Sequence, residues 1–412
     1  MELEDLEDLG PAAVTPRVVK RGVARRKVKP SSNTADDADV LALSNGDERT
    51  NNGTNYEVSN ARQHSVYVKT YGCSHNSSDS EYMSGLLQQH GYLLVDEQEK
   101  ADVWLINSCT VKNPSEEHMV TDLKRGRALG KKLVVAGCVS QAQPDLAPLA
   151  DVSLVGVQQL ERVVEVVHES LQGRTMRVME RAERPSLNLP KVRRNPLIEI
   201  IPVNTGCLGS CTYCSTVYAR GRLGSYEPAA IEARLASAYA EGVVEVWLTS
   251  EDTGAYGRDI GTSMPELLAR LLKAVPEGRR LRVGMTNPPY ILQHLDAIAE
   301  LLNHPRCYAF LHVPVQSGSD GVLGRMRREY TCAEFCAVAD ALQAKVRQSS
   351  LSRRPHAARP RGMPLLTPTS LGVTRGRFQI SLSQRISSAG SPARRKPSTT
   401  RRSLCSQSTS SP

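Results

Sequence analysis

The run Ile198-Glu199-Ile200-Ile201-Pro202-Val203-Asn204-Thr205-Gly206-Cys207-Leu208-Gly209-Ser210-Cys211-Thr212-Tyr213-Cys214 decides how the rest of the chain is read. Its opening residues, Ile198–Val203, are rich in β-branched side chains and read as a buried strand. A glycine-containing loop follows, with its cysteines in a C-x3-C-x2-C pattern. Beyond it the pattern predicts a helix at Pro228–Glu241, a strand at Val243–Thr249, a helix at Met264–Val275 and a strand at Leu281–Met285. A helix at Ile291–Leu302 and a strand at Tyr308–Val313 then lead into Gly318–Arg327. Four βα units in succession predict a parallel barrel, or part of one, over residues 196–345. Such a fold builds its active site on the loops that follow its strands, and the three cysteines stand on the first of these loops.

Three thiolates on one short loop can hold three irons of a cubane iron–sulfur cluster and leave the fourth iron open as a binding site. The competing reading is a structural zinc knuckle. That site wants four closed ligands, and no fourth Cys or His follows at knuckle spacing.

Upstream, Val66, Val68 and Thr70 alternate with Tyr67 and Lys69 as a strand, and Tyr71-Gly72 turns toward a helix over Asp79–His90. Trp104-Leu105-Ile106 reads as a second strand, Ser115–Leu129 as a helix, Leu133–Ala136 as a third strand and Leu160–Leu171 as a helix. This alternation predicts a small parallel α/β domain over residues 63–172, followed by a polar linker over 173–195. Cys73, Cys109 and Cys138 each end or follow one of the three strands. In a parallel sheet those carboxyl ends share one edge, where ligands bind, so cysteines about 30 positions apart can meet there. Free cysteines also serve simply as small core side chains, which is the competing reading.

The whole chain has 412 residues, 52 Lys plus Arg, 43 Asp plus Glu, and ten cysteines. Thirteen of the basic residues and none of the acidic ones lie from Val346 onward, so residues 1–345 carry 39 basic against 43 acidic side chains. The basic balance therefore belongs to the tail and does not by itself indicate a nucleic-acid surface. Residues 1–62 pass from an acidic run at Glu2–Asp8 to a basic run at Arg17–Lys29, and residues 346–412 are mostly Ser, Arg and Pro. Both termini are expected to be disordered. No stretch reaches the length of a membrane helix, and the first thirty residues carry no apolar signal-peptide core. The expectation is a soluble cytoplasmic chain.

The segment Gly206-Cys207-Leu208-Gly209-Ser210-Cys211-Thr212-Tyr213-Cys214, with Ala219-Arg220-Gly221, resembles the radical S-adenosylmethionine enzymes. Three upstream segments resemble the cluster segments of the methylthiotransferases: Thr70-Tyr71-Gly72-Cys73-Ser74-His75-Asn76, Ile106-Asn107-Ser108-Cys109-Thr110-Val111 and Ala136-Gly137-Cys138-Val139. Downstream, His312-Val313-Pro314-Val315-Gln316-Ser317-Gly318-Ser319-Asp320, with Met326-Arg327-Arg328 and Tyr330, is similar to their segment near the fourth barrel strand. The resemblance implies an N-terminal parallel α/β methylthiotransferase domain and a partial (β/α) radical S-adenosylmethionine barrel.

It also implies two [4Fe–4S] clusters, one on Cys207, Cys211 and Cys214 and one on Cys73, Cys109 and Cys138, together with S-adenosylmethionine. Ser250, Glu251 and Asp252 after the second barrel strand, Asn287 after the third and Gln316 after the fourth are the implied cofactor contacts. Arg220, Arg327 and Arg328 are candidates for phosphate or cofactor carboxylate. Cys307, Cys332, Cys336 and Cys405 fit no ligand set, and Cys332 and Cys336 are assigned to core packing. An adenine C2–H has no acidic proton for a side-chain base, so the cofactor carries the hard step and the protein positions and shields it.

Segments such as Asn195-Pro196-Leu197-Ile198-Glu199-Ile200-Ile201 and Leu248-Thr249-Ser250-Glu251-Asp252-Thr253-Gly254 resemble the archaeal and eukaryotic branch. That branch converts N6-threonylcarbamoyladenosine at position 37 of tRNA to its 2-methylthio form. The implied partners are the anticodon loop of a tRNA, by resemblance a lysine tRNA, an electron donor protein and the iron–sulfur assembly machinery. The likeness covers about residues 64–345. Members of this branch continue through two more βα units and a β-rich module and are anchored in the endoplasmic reticulum membrane. The alternative reading is thus an inactive truncated form that binds clusters or tRNA without turnover.

Overall fold

The structure, a computed structural model, describes residues 64–110, 113–346 and the short strand Gln379–Ile380. The expected disordered arm, Cys405 and nearly all of the expected tail lie outside these residues.

The first domain runs β1 (Ser65–Thr70), α1 (Ser74–Gln89), β2 (Leu93–Leu94), β3 (Val103–Ser108), α2 (Asn113–Ala128), β4 (Lys132–Gly137), α3 (Cys138–Ala142), β5 (Ser153–Val155), α4 (Val163–Leu171) and β6 (Arg177–Val178). All six strands are parallel, in the order β2-β1-β3-β4-β5-β6. β3 is buried on both faces because it sits in the middle. Leu105 joins Val134, Met83 and Val166 on one side, while Ile106 joins Val135, Met119 and Leu154 on the other. Each such side chain contributes about 1.5–3 kcal/mol on burial. The chain leaves β1 toward β2 and then returns to the opposite side of β1 as β3. That reversal makes a topological switch point between β1 and β3, the usual ligand crevice of an open parallel sheet.

The second domain runs β7 (Ile198–Pro202), β8 (Asn204–Thr205), α5 (Thr216–Arg220), β9 (Gly224–Ser225), α6 (Pro228–Ala240), β10 (Glu245–Thr249), α7 (Met264–Ala274), β11 (Arg280–Arg282), α8 (Pro288–Ile291), α9 (Leu295–Leu302), β12 (Phe310–Leu311), α10 (Asp320–Arg325) and α11 (Cys332–Lys345). β7, β10 and β11 form a parallel sheet. Parallel bridges from Leu281 to Cys307 and from Met285 to His312 attach the β12 segment. A further strand, β13 (Gln379–Ile380), pairs parallel with β12, so a piece of the expected structureless tail has a defined partner. β8 and β9 form a small antiparallel hairpin beside the cysteine loop.

Three expectations change. The first helix begins at Ser74, five residues before Asp79. Its Ser- and Asn-rich opening looks like loop by propensity, but tertiary partners satisfy it. Ser78 Oγ donates to the Ile200 carbonyl at 3.0 Å, and Thr70 Oγ1 to Ser80 Oγ at 2.7 Å. The strand expected over Leu281–Met285 stops at Arg282, because the Met285 carbonyl accepts from Thr253 N–H at 2.9 Å instead of from a neighbouring strand.

The third change concerns the expected linker. It contributes β6 to the first sheet and then buries Lys191 completely, where its ammonium lies 3.0 Å from Glu199 Oε1 and 3.4 Å from Glu81 Oε2. Glu81 is on α1 and Glu199 on β7, so this segment fastens one domain to the other. Arg193 and Arg234 also pair with Glu199. Burial would raise the Glu199 carboxyl, but these three cations hold it below its ordinary value.

Candidate functional site

The register of the first sheet delivers its cysteines together. Thr70 pairs with Asn107, and Ser108 pairs with Gly137. Cys109 and Cys138 therefore follow flush positions on adjacent strands, and Cys73 comes round the Tyr71-Gly72 turn to meet them. Gly72 has φ +109°, and a Cβ there would lie 2.5 Å from Cys109 Cβ and 2.8 Å from its Sγ. Gly137 has φ +93°, and a Cβ there would lie 2.2 Å from Asn107 Oδ1. Both turns need glycine for their dihedrals and for the room it leaves.

Asn76 and Asn107, both fully buried, lock the crevice. Asn76 Nδ2 donates to Asn107 Oδ1 at 3.0 Å and to the Ser108 carbonyl at 2.8 Å, and Cys73 Sγ lies 3.2 Å from Asn76 Oδ1. The Cys138 thiol is pushed up to about 11 by burial, partly offset by the Arg220 guanidinium, with Glu251 and Cys109 adding to the rise.

The second triad occupies the loop after β7 and β8. Gly209 lies between two of its sulfurs. Its N–H donates to Cys207 Sγ at 3.4 Å, and a Cβ at Gly209 would be 3.6 Å from Cys211 Sγ and 3.7 Å from Cys207 Sγ. Cys214 Sγ is 3.0 Å from Thr216 Oγ1. Burial pushes the Cys207 thiol up to about 12, against the Gly209 N–H, with Asp252, Cys214 and Cys211 raising it further. Among the described residues, no three His, Cys, Asp or Glu side chains converge tightly enough for a single metal ion. A cubane spreads its three cysteine ligands over a wider triangle, and each triad has the thiols it needs.

The loops after β10 and β11 close over this triad. Asp252 is fully buried and accepts from Asn287 Nδ2 at 2.6 Å, Asn287 N–H at 3.2 Å and Gly254 N–H at 3.1 Å. Burial raises its carboxyl to about 6 against those donors. Asn287 Oδ1 in turn accepts from Arg328, whose Nη1 is 3.0 Å from Cys211 Sγ. Arg328 Nε is buried with no hydrogen-bond partner, which suits an additional anionic ligand. Gln316 and Arg327 adopt left-handed backbone, φ +63° and +53°. That conformation is strained for non-glycine residues and common at binding loops.

Of the five expected cofactor contacts, Asp252 and Asn287 line the cleft above Cys207 and Cys211, and Gln316 occupies its strained turn nearby in sequence. Ser250 Oγ is engaged by Asp252 N–H at 3.0 Å. Glu251 faces the other domain, 2.9 Å from His75 Nδ1 and 3.0 Å from Arg220 Nε. Arg220 also pairs with Asp79 at 2.5 Å and lies 3.3 Å from Cys138 Sγ. His75, Asp79, Arg220 and Glu251 thus form a buried polar wall against the first triad, with residues from both domains. Sequence reasoning missed His75 and Asp79, although they stand two and six residues after Cys73 on the same helix. Cys332 packs against the barrel core and Cys336 is half-buried.

Two family models and a set of curated relatives match this sequence. Residues 65–154 match the uncharacterized protein family UPF0004, and residues 201–352 match the radical SAM superfamily. The second match implies a [4Fe–4S] cluster and S-adenosylmethionine. A threonylcarbamoyladenosine tRNA methylthiotransferase of Xenopus laevis is 48% identical over 84% of this chain and 61% of that one. The Homo sapiens protein of the same name is 54% identical over 68% of this chain and 50% of that one. The chain therefore spans less than two thirds of these relatives. Among solved structures, a radical S-adenosylmethionine methyltransferase of Kitasatospora setae gives a TM-score of 0.47 at 14% identity, over 69% of this chain and 66% of that one. By its two domain matches the chain belongs to the radical S-adenosylmethionine methylthiotransferase family, and it is similar to the eukaryotic members named above.

Proposed function

We propose that the chain carries out methylthiolation of N6-threonylcarbamoyladenosine at position 37 of tRNA. The observation that supports this reading is a cysteine triad in each domain, with Arg220, six residues after Cys214, reaching Cys138 of the first triad at 3.3 Å. When bound, a cluster on Cys207, Cys211 and Cys214 with S-adenosylmethionine supplies hydrogen abstraction from an unactivated carbon, and a second cluster on Cys73, Cys109 and Cys138 supplies sulfur. The methyl group comes from a second S-adenosylmethionine.

The chain's own residues do the positioning. Cys138 and Cys207 would hold iron as thiolates, so loading of either triad would release protons. Arg328 and Asn287 present a guanidinium and an amide to the methionine carboxylate and amino groups, and buried Asp252 fixes the Asn287 amide. Gln316 borders the same ligand, whereas Ser250 and Glu251 support the loop and the wall. An anticodon-loop adenosine is single-stranded, so it can leave its stack and enter a junction between the triads. The remaining partners under this reading are a lysine tRNA, an electron donor protein for the second triad and assembly machinery that delivers the clusters.

The test is anaerobic reconstitution with a strong reductant, S-adenosylmethionine and tRNA carrying threonylcarbamoyladenosine, followed by nucleoside mass spectrometry. The proposal expects 2-methylthio product and 5′-deoxyadenosine. It also expects the Cys109→Ala variant to cleave S-adenosylmethionine yet install no sulfur. Absence of both products from the loaded wild type contradicts it.

A further inference from the structure

A cleft of about 580 Å³ lies between segment 182–188 and the β8–β9 hairpin, next to the second triad. Its size is that of a site for a small organic ligand. Tyr226 forms one wall, its hydroxyl donating to the Pro185 carbonyl at 2.9 Å, and the Arg184 guanidinium lies over its ring at 5.4 Å. Stacking on the ring fixes the direction of that planar cation without neutralising it. Arg222 lines the same cleft. The adjoining Gly221 carbonyl accepts from Cys207 N–H at 3.3 Å, which ties the cleft to the triad loop. Among the described residues, neither Arg184 nor Arg222 forms an ion pair, and Glu183 is the sole acidic residue in the lining.

A third cation, Arg181, donates to the Tyr218 carbonyl at 2.8 Å. Tyr218 is 73% exposed and Tyr213 44%, two large rings held open to solvent on the loop and short helix of the cysteine motif. Free guanidinium groups beside exposed aromatic faces make up the recognition chemistry of a single nucleic-acid strand: the cations meet phosphates and the rings stack on bases.

We propose that this cleft binds a backbone phosphate and its adjoining nucleotide in the RNA strand that carries the reacting adenosine, with Arg184 and Arg222 on the phosphate and Tyr218 stacking on a neighbouring base. The inference rests on the RNA-directed reading above and adds a docking surface to it.

The test measures binding of the full-length, cluster-loaded chain to a stem-loop RNA containing threonylcarbamoyladenosine, across a salt series. The Arg184→Ala/Arg222→Ala variant should bind at least about tenfold more weakly and flatten the log K against log salt slope by about one to two. Tyr218→Ala should weaken binding about fivefold or more without changing that slope. Lys273→Glu, an exposed change on α7, should do neither. Equal iron content across the variants shows that each retains its fold.

Unchanged affinity and slope in the double arginine variant overturn the proposal, as does failure of the wild-type chain to bind this RNA. S-adenosylmethionine cleavage without RNA, followed in parallel, separates the two readings. Its absence while arginine-dependent RNA binding persists counts against the enzymatic reading and leaves the cleft standing.

Discussion

Arg220 Nε lies 3.3 Å from Cys138 Sγ, although one residue follows the cysteine motif of the second domain and the other belongs to the crevice of the first. The same guanidinium pairs with Asp79 and Glu251, so one buried cation serves two carboxylates and a thiol. Replacing it with Ala leaves those buried carboxylates without their guanidinium, with His75 beside them. The expected cost is about 3–5 kcal/mol, read by denaturant unfolding of the metal-free chain. Arg220→Lys keeps the charge but loses the planar fork, so it should recover only part of that stability and lower the reduction potential of a cluster on Cys138 by weakening its sulfur contact.

The turns before the first triad are equally exacting. Gly72→Ala places a methyl group against Cys109 and forces φ +109° on an L side chain. The chain should still fold but lose the iron of the first triad, giving about half the wild-type iron after reconstitution, while iron on Cys207, Cys211 and Cys214 remains.

At the second triad, Asn287 stands between Asp252 and Arg328. Asn287→Ala frees Arg328 and removes the side-chain donor to the Asp252 carboxyl while its two backbone donors stay, which should weaken S-adenosylmethionine binding about tenfold at unchanged iron content. Calorimetric titration of the loaded protein measures this. Equal affinity would show that Asn287 has no part in holding the cofactor.

The domain junction should respond to acid. Burial raises the Glu81 carboxyl despite Lys191, whereas Glu199, with Lys191, Arg193 and Arg234 around it, is held low. A carboxyl with a depressed value in the fold adds stability above its unfolded value and loses it as pH falls through the folded one. The Glu199 contribution should therefore be complete at neutral pH and disappear below its ordinary value of 4.5. Glu81 protonates first and at no such loss. Urea unfolding should show Glu199→Gln costing more than Glu81→Gln at pH 7, with the gap narrowing as pH falls below 4.5.

Much of this was legible in the sequence because it depends on local order. The alternation of Val66, Val68 and Thr70, the apolar run at Trp104–Ile106 and the spacing of Cys207, Cys211 and Cys214 each predict their element without knowledge of a distant partner. The convergence of Cys73, Cys109 and Cys138 follows from strand ends in a parallel sheet. What could not be read depends on partners far apart in the chain. His75 and Asp79 look like ordinary polar residues of a helix start until Glu251 and Arg220 are brought beside them. Lys191 looks like a solvated linker residue until Glu81 and Glu199 enclose it. Glu251 is alike: its position after a barrel strand suggests a cofactor contact, while Arg220 of its own domain and His75 of the other lie against its carboxylate.

Iron and sulfide content after anaerobic reconstitution tests the central claim most directly. Two triads, each holding one cubane, predict about eight irons and eight sulfides per chain, falling to about four in Cys109→Ala, about four in Cys211→Ala and close to none when both are changed. About four irons in the wild type, lost entirely with one substitution and untouched by the other, would contradict it.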